Sequence, residues 1–359
     1  MKSKRGLKAE VETSMRGWQK ALVATGVATA LGAALERWVM ASPHYEGPPS
    51  DHYDGRMFLN FEKVEQRQES FLEWRMTRKP GHWPDFLDAP YGPAPPSRVD
   101  GGAVRVTFVN HATLLIQMDG VNILTDPIWS DRTSPVSFVG PRRHRPPGIR
   151  FGDLPPIDAV LVSHNHYDHL DVATLRRLRG RDQMPIITPL GNDLALERYG
   201  IEGGIALDWW SETRITNRVR VTVVPARHFS SRGLSDRNAN LWGGFVISGP
   251  SGNVYFAGDT GWGRHFEEIG RRFSPIRAAL LPIGSYLPRW FMHPVHIDPA
   301  QAVDAHLALR AQTSIAMHYG TFALGDDGML DPVHDLQRAL VERGNPRFWI
   351  LAEGEGREV

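Results

Sequence analysis

The stretch Ala159-Val160-Leu161-Val162-Ser163-His164-Asn165-His166-Tyr167-Asp168-His169-Leu170-Asp171 is an apolar run that ends in four side chains able to bind a metal. The run reads as a buried strand, and Asp171 as the start of a helix. Alternate side chains of an extended chain point the same way. His164 and His166 can therefore grip one ion as the chain leaves the strand, while Asp168 and His169, on the turn into the helix, reach a second.

Single residues repeat this placement downstream. His228 follows the strand Val219–Val224, Asp259 follows Val254–Ala257 in Ala257-Gly258-Asp259-Thr260-Gly261, and His318 ends Ser314–Met317. Each alone reads more readily as a capping or core residue. With the hexapeptide they complete two sets: His164, His166 and His228 for one metal, and Asp168, His169 and His318 for the other, with Asp259 between. The chain has no cysteine, which excludes disulfides, thiolate ligands, iron–sulfur clusters and a cysteine nucleophile. Imidazoles plus carboxylates suit two zinc ions, with iron or manganese less favoured.

The surrounding pattern alternates strands and helices. Ala103–Val109 and Thr113–Met118 are β-branched runs, and Asp119-Gly120 signals a type I′ turn into Val121–Thr125. Further strands are expected at Pro185–Thr188, Phe245–Ser248, Ala279–Ile283 and Phe348–Leu351. Helices are expected at Asp171–Leu178, Asp193–Tyr199, Pro299–Leu309 behind Asp298, and Pro332–Arg343 behind Asp331. Hairpins and helix-connected strands together imply mixed sheets with helices packed outside, an α/β (α+β) architecture rather than a doubly wound parallel sheet.

The rest of the chain divides by composition. Residues 1–20 carry six basic residues against Glu10 and Glu12, a local +4 in a chain whose formal net charge is +1. Ala21 to Leu35 is uncharged and spans about 22 Å as a helix, against roughly 30 Å of hydrocarbon. Its length matches a signal-peptide apolar region, with Val39-Met40-Ala41 as a cleavage site; an anchor helix over 21–41 would also place the body outside. A cytoplasmic protein with an Ala-rich packed helix is the alternative. Residues 42–100 are rich in Pro, Gly and aromatics, with one helix expected over Phe61–Thr77, and read as an extension that wraps the domain at 101–359. Basic and acidic residues nearly cancel, 41 against 40, so no general field draws nucleic acid to the molecule.

The hexapeptide with the spaced His228, Asp259 and His318 resembles the metallo-β-lactamase superfamily, which implies a four-layer αβ/βα sandwich and the ligand roles given above. Flavoprotein branches with iron usually carry Glu where His166 stands, so this position favours the zinc hydrolases. A narrower set is similar to the N-acyl-phosphatidylethanolamine-hydrolysing phospholipase D group: Asn110-His111-Ala112-Thr113, Leu124-Thr125-Asp126-Pro127, Gly140-Pro141-Arg142-Arg143-His144-Arg145-Pro146, Leu154-Pro155-Pro156-Ile157-Asp158, Asp208-Trp209-Trp210, Pro288-Arg289-Trp290-Phe291-Met292 and Gly320-Thr321-Phe322-Ala323-Leu324. The similarity runs from about residue 95 to about 352.

That resemblance implies a dinuclear zinc phosphodiesterase that releases N-acylethanolamine and phosphatidic acid at a membrane surface, in the form of a homodimer. Asp168 and Asp259 would be catalytic through the metals, and His296, in His293-Pro294-Val295-His296, matches a family His near the substrate phosphate. Asp126 and His111 read as supports for the ligands or as structural residues, Asp126 then forming the turn before Pro127. The run Arg142–Arg145 reads as a solvated loop tethered to an acidic neighbour or as a phosphate contact, and Trp209, Trp210, Trp290 and Phe291 as core or an acyl groove. Two alternatives stand beside this reading: a hydrolase of a soluble phosphodiester, cyclic phosphate or lactone, and a membrane-tethered zinc scaffold without catalysis.

Overall fold

The computed structural model describes residues 40–62 and 71–359. The leader, with the signal or anchor segment up to residue 39, and residues 63–70 of the expected helix lie outside the described residues. Among the described residues no helix is long and apolar enough to cross a membrane.

Two seven-stranded sheets make the body. The first has the order β14-β1-β2-β3-β4-β5-β6: Gly356–Glu358 (β14), Val104–Asn110 (β1), Thr113–Met118 (β2), Val121–Thr125 (β3), Ala159–Leu161 (β4), Ile186–Pro189 (β5) and Gly204–Leu207 (β6). The second runs β7-β8-β9-β10-β11-β12-β13: Glu212–Arg214, Arg220–Val224, Gly244–Gly249, Gly252–Phe256, Ile276–Pro282, Ala311–Met317 and Phe348–Trp349. Both sheets begin with antiparallel pairings and change to parallel at their midpoint, between β3 and β4 in one and β10 and β11 in the other. The sheets are mixed, as the hairpin and helix-linked patterns require.

The period-2 alternation of the strands assigns the layers. Leu114, Ile116, Ile123 and Leu161 face the second sheet, while Leu115, Leu124, Val160 and Val162 face outward. The outward set packs on Leu175 and Leu178 of Val172–Arg181 (α2) and Leu196 of Asn192–Arg198 (α3). Each such buried aliphatic side chain contributes about 1.5–3 kcal/mol of burial. On the far side, the second sheet is covered by His265–Phe273 (α4), Pro299–Leu309 (α6) and Asp331–Glu342 (α7) through Ile269, Val303 and Leu336. Helix, sheet, sheet, helix is the four-layer sandwich.

Local chemistry sets the boundaries. Asp119 and Gly120 both have positive φ, 51° and 78°, as a type I′ turn requires. Asp171 caps α2 by accepting from the Ala173 N–H, and Asp298 with Gln301 forms a capping box on α6. Asp331, expected as a cap, is instead the first residue of α7. The short strands β6, β7 and β14 carry no clear period in the sequence, and α4 is not among the expected helices although Phe266, Ile269 and Phe273 recur at helical spacing. Phe61 and Glu62 are not helical, contrary to the expected Phe61–Thr77: Phe61 packs edge-on against Trp209, and Glu62 pairs with Arg264 at 2.9 Å. Helix begins among the described residues at Phe71–Thr77 (α1), whose Trp74 stacks on Phe291 of the short helix Arg289–Met292 (α5).

Residues 40–62 and 71–100 lie along the body as a largely irregular strap. Tyr53 and Phe58 enter the core, Trp83 donates to the Asp327 carbonyl at 2.9 Å, and the Asn122 side chain donates to the Ser97 carbonyl at 2.9 Å.

Candidate metal centre

The seven residues named from the sequence for metal binding meet at one rim, each just beyond the C-terminal end of a strand: His164, His166, Asp168 and His169 after β4, His228 after β8, Asp259 after β10, His318 after β12. A backbone bond from the His318 N–H to the His111 carbonyl, 2.7 Å, fastens the β1–β2 turn of one sheet to the end of β12 in the other. His111, Asp126 and His318 all adopt positive φ, at 47°, 32° and 62°. Backbone strain of this kind concentrates where a site over-determines the chain.

The donor atoms fall into two groups. His166 Nδ1 lies 2.8 Å from His164 Nε2 and 3.3 Å from His228 Nε2. Asp168 Oδ2, His169 Nε2 and His318 Nε2 lie 3.2–3.5 Å from one another. Asp259 sits between: its Oδ2 is 3.2 Å from His169 Nε2 and 3.8 Å from His228 Nε2, and its Oδ1 is 3.1 Å from His318 Nε2. All seven are buried or nearly so.

Outer hydrogen bonds decide which nitrogens face inward. His169 Nδ1 donates to Asp126 Oδ2 at 2.6 Å, and His228 Nδ1 donates to the Val295 carbonyl at 3.0 Å. Ser163 Oγ gives its own hydrogen to Asp126 Oδ2 at 2.6 Å, so at 2.9 Å it accepts from His164 Nδ1. Three Nε2 atoms therefore converge with two carboxylates. Nitrogen donors and negative charge gathered this closely fit a metal cation, and the donors fall into the two groups above.

The ionisation of the cluster expresses the same demand. Burial pushes His164 and His228 well below the ordinary imidazole value and His166 down to about 4. Burial acts the same way on His169 and His318, yet the Asp259 and Asp168 carboxylates outweigh it and hold His169 well above that value and His318 at about 9. Burial would raise Asp168 and Asp259, but His169 and His318 beside them keep both well below the carboxylate range. Protons on His169 and His318 offset the buried carboxylates, and a bound cation would displace them.

Of the remaining expectations, His111 donates from Nε2 to Asp168 Oδ2 at 2.8 Å, a support for that carboxylate. His296 lies at the rim with Nδ1 4.0 Å from Asp259 Oδ2, buried and without a hydrogen-bond partner among the described residues. In the basic run Arg142 is exposed and Arg145 is tethered to an acidic neighbour, as a solvated loop would have it, whereas Arg143 departs from that reading. Arg143 is buried and donates to the Ser130 and Ile128 carbonyls, and Arg145 pairs with Glu353 at 2.6 Å. Trp209 is core, donating to the Trp242 carbonyl and stacked on His52, whereas Trp290 stays 39% exposed.

Sequence reasoning did not single out Ser163, although it adjoins the motif, nor Arg232. That guanidinium is buried, donates to the Asn165 and Leu170 carbonyls at 2.8 and 3.1 Å, and lies over the Tyr167 ring, so it clamps the metal loop from behind.

The family model for the beta-lactamase superfamily domain matches residues 121–319. An uncharacterized protein of Mycobacterium tuberculosis is 37% identical over 328 residues, covering 89% of this chain and 86% of that one. N-acyl-phosphatidylethanolamine-hydrolyzing phospholipase D 1 of Caenorhabditis elegans is 41% identical over 248 residues, covering 66% and 70%. Among solved structures, isothiocyanate hydrolase from Delia radicum gut bacteria superposes with a TM-score of 0.58 over 70% of this chain and 98% of that one, at 22% identity, a likeness of fold.

Proposed function

Because the chain belongs to the metallo-β-lactamase superfamily and is a metal-dependent hydrolase of that fold, we propose that it is a dinuclear zinc phosphodiesterase of the phospholipase D type. Its substrate in this reading is N-acyl-phosphatidylethanolamine at a membrane surface, and its products are N-acylethanolamine and phosphatidic acid. The observation that carries the dinuclear part is the pair of donor groups with Asp259 between them. The substrate part is supported by the 41% identity to the nematode phospholipase over 248 residues.

His164, His166 and His228 would hold one ion, Asp168, His169 and His318 the other, and Asp259 both. Such a pair, when bound, supplies Lewis-acid activation of water and of a phosphoryl oxygen. The chain's own part is positional. Asp126 fixes the proton of His169 directly and that of His164 through Ser163, while His111 holds Asp168 in place. His296, with an unpartnered ring nitrogen at the rim, is placed to offer an N–H to the oxygen that leaves phosphorus.

Lipid access has a structural support near His296. On α1, Phe71, Leu72 and Met76 are 64–73% exposed while Trp74 packs inward on Phe291, five residues before His296. An outward apolar face of this kind suits contact with acyl chains. Of the segment 21–41 that would export or anchor the body, residues 21–39 lie outside the described residues.

Hydrolysis of N-acyl-phosphatidylethanolamine vesicles by the zinc-loaded protein tests the reading, beside a soluble phosphodiester and a lactone. Lipid turnover is expected, reduced in Phe71→Asp with the soluble rates unaltered. Turnover of the soluble substrates alone would replace the lipid assignment, and two bound zinc ions with no turnover at all would favour a scaffold.

A further inference from the structure

His228 stands four residues beyond the end of β8, where the sheet no longer supplies partners for its backbone. The strap supplies them instead. The Asn60 side chain takes both groups at once: its Oδ1 accepts from the His228 N–H at 2.9 Å, and its Nδ2 donates to the His228 carbonyl at 3.0 Å. A single amide thus does what a neighbouring strand would do. On the other side the same loop is tied to the residues after Asp259, since the Arg227 N–H donates to Thr260 Oγ1 at 3.0 Å and the Gly261 N–H to the Arg227 carbonyl at 2.7 Å.

Asn60 is held independently of these two bonds. Phe58, two residues earlier, is fully buried and its N–H donates to the Asn238 carbonyl at 2.8 Å; Tyr53 is in the same core, and the Tyr45 N–H reaches the Ala239 carbonyl at 3.1 Å. Further back, Ser42 Oγ accepts at 3.1 Å from the side chain of Asn165, the residue between His164 and His166, and the Ser42 N–H donates to Asp236 at 2.7 Å. The strap therefore touches the backbone or the neighbour of all three imidazoles in one donor group. Among the described residues, none of the bonds just named reaches Asp168, His169 or His318.

We propose that Asn60 is a positioning residue for the ion held by His164, His166 and His228, setting the inward reach of His228 Nε2 from a segment that precedes the catalytic domain. This rests on the metal reading above. Removal of the amide leaves the imidazole in place but frees its backbone, so the geometry of one ion loosens while the other is untouched.

Zinc competition titrations on the full chain test this in single-site backgrounds: His318→Ala retains the first donor group and His166→Ala the second. Asn60→Ala is expected to weaken zinc binding about tenfold in the first background and less than about twofold in the second, and to shift the cobalt visible spectrum only in the first. Asn60→Asp, which keeps the acceptor for the His228 N–H, is expected to fall between and serves if the alanine variant does not fold. Unchanged affinity in the first background would overturn the assignment, as would equal weakening in both with a lowered melting temperature. If the protein without any of these substitutions binds no divalent ion, the metal reading itself fails, an outcome separate from the others.

Discussion

The two sheets share one pairing scheme, antiparallel at the start and parallel after the midpoint, yet they load the site in opposite ways. The first delivers His164, His166, Asp168 and His169 from a single loop behind β4. The second delivers His228, Asp259 and His318 one at a time from three strand ends, with His296 on a longer loop. A loop of alternating side chains brings four donors together within six residues, although Asp126, Arg232 and Ser42 from other parts of the chain hold it in place. Dispersed ligands depend on strand register, on the twist that brings strand ends together, and on outside braces such as Asn60 for His228.

The largest effect should come where the two contributions meet. Asp259→Asn keeps the size of the side chain but removes the charge shared by both donor groups. Loss of kcat is expected to exceed the roughly 10–100-fold that removal of an outer partner costs, with bound zinc falling below two per chain by elemental analysis. Full activity in this variant would break the idea that the second sheet supplies the link.

Asp126→Ala should be next, and it probes the first sheet alone. One carboxylate orients His169 directly and His164 through Ser163, so affinity at both ions should fall, each by about 10–100-fold. The buried partners left behind should also cost about 1–3 kcal/mol in denaturant unfolding. Weakening at one ion only would show that the Ser163 relay does not fix His164.

Gly258→Ala makes the matching probe of the second sheet. Gly258 precedes Asp259 with φ +60°, and a Cβ there would meet the Ser163 side chain at 2.7 Å. A stability loss of about 1–2 kcal/mol from the left-handed backbone is expected, with activity reduced because Asp259 moves. Unchanged thermal unfolding and unchanged kinetics together would contradict the close approach.

A smaller, pH-dependent effect is expected where the strap meets the crossover between the sheets. His52 Nε2 lies 2.7 Å from Asp208, between β6 and β7, and its other nitrogen faces Asp51. Burial lowers its pKa, but these two carboxylates outweigh burial and raise it above 6.5. A raised folded value means the stabilisation is fully present below about 6.5 and is lost as pH rises through the folded value. Limited proteolysis of residues 40–62 should accelerate on that rise, and His52→Asn should flatten the profile.

The contrast between the sheets also explains what could be read in advance. His164, His166, Asp168 and His169 were legible because the strand period and the turn into a helix fix their directions within six residues. Asp298 was legible as a helix cap for the same local reason, and Asp171, expected as the first helical residue, proves to be the cap one residue before it. β6, β7 and β14 were not, because three or four residues at a sheet edge are stabilised by their neighbours rather than by a period of their own. Arg143 and Arg145 read as surface charges, and only the fold showed them spent on buried carbonyls and on Glu353.

By itself the sequence determined the absence of thiolate chemistry, the mixed-sheet class, the metal-capable loop and the strand ends from which its complements could come. These follow from composition and from periods of two and 3.6, which are local. Tertiary structure alone decided that His228, Asp259 and His318 meet that loop, that Asp126 and Ser163 turn its imidazoles inward, and that Asn60, 168 residues from His228, holds its backbone. Such contacts depend on the packing of two sheets against each other, and no window of the chain carries that information.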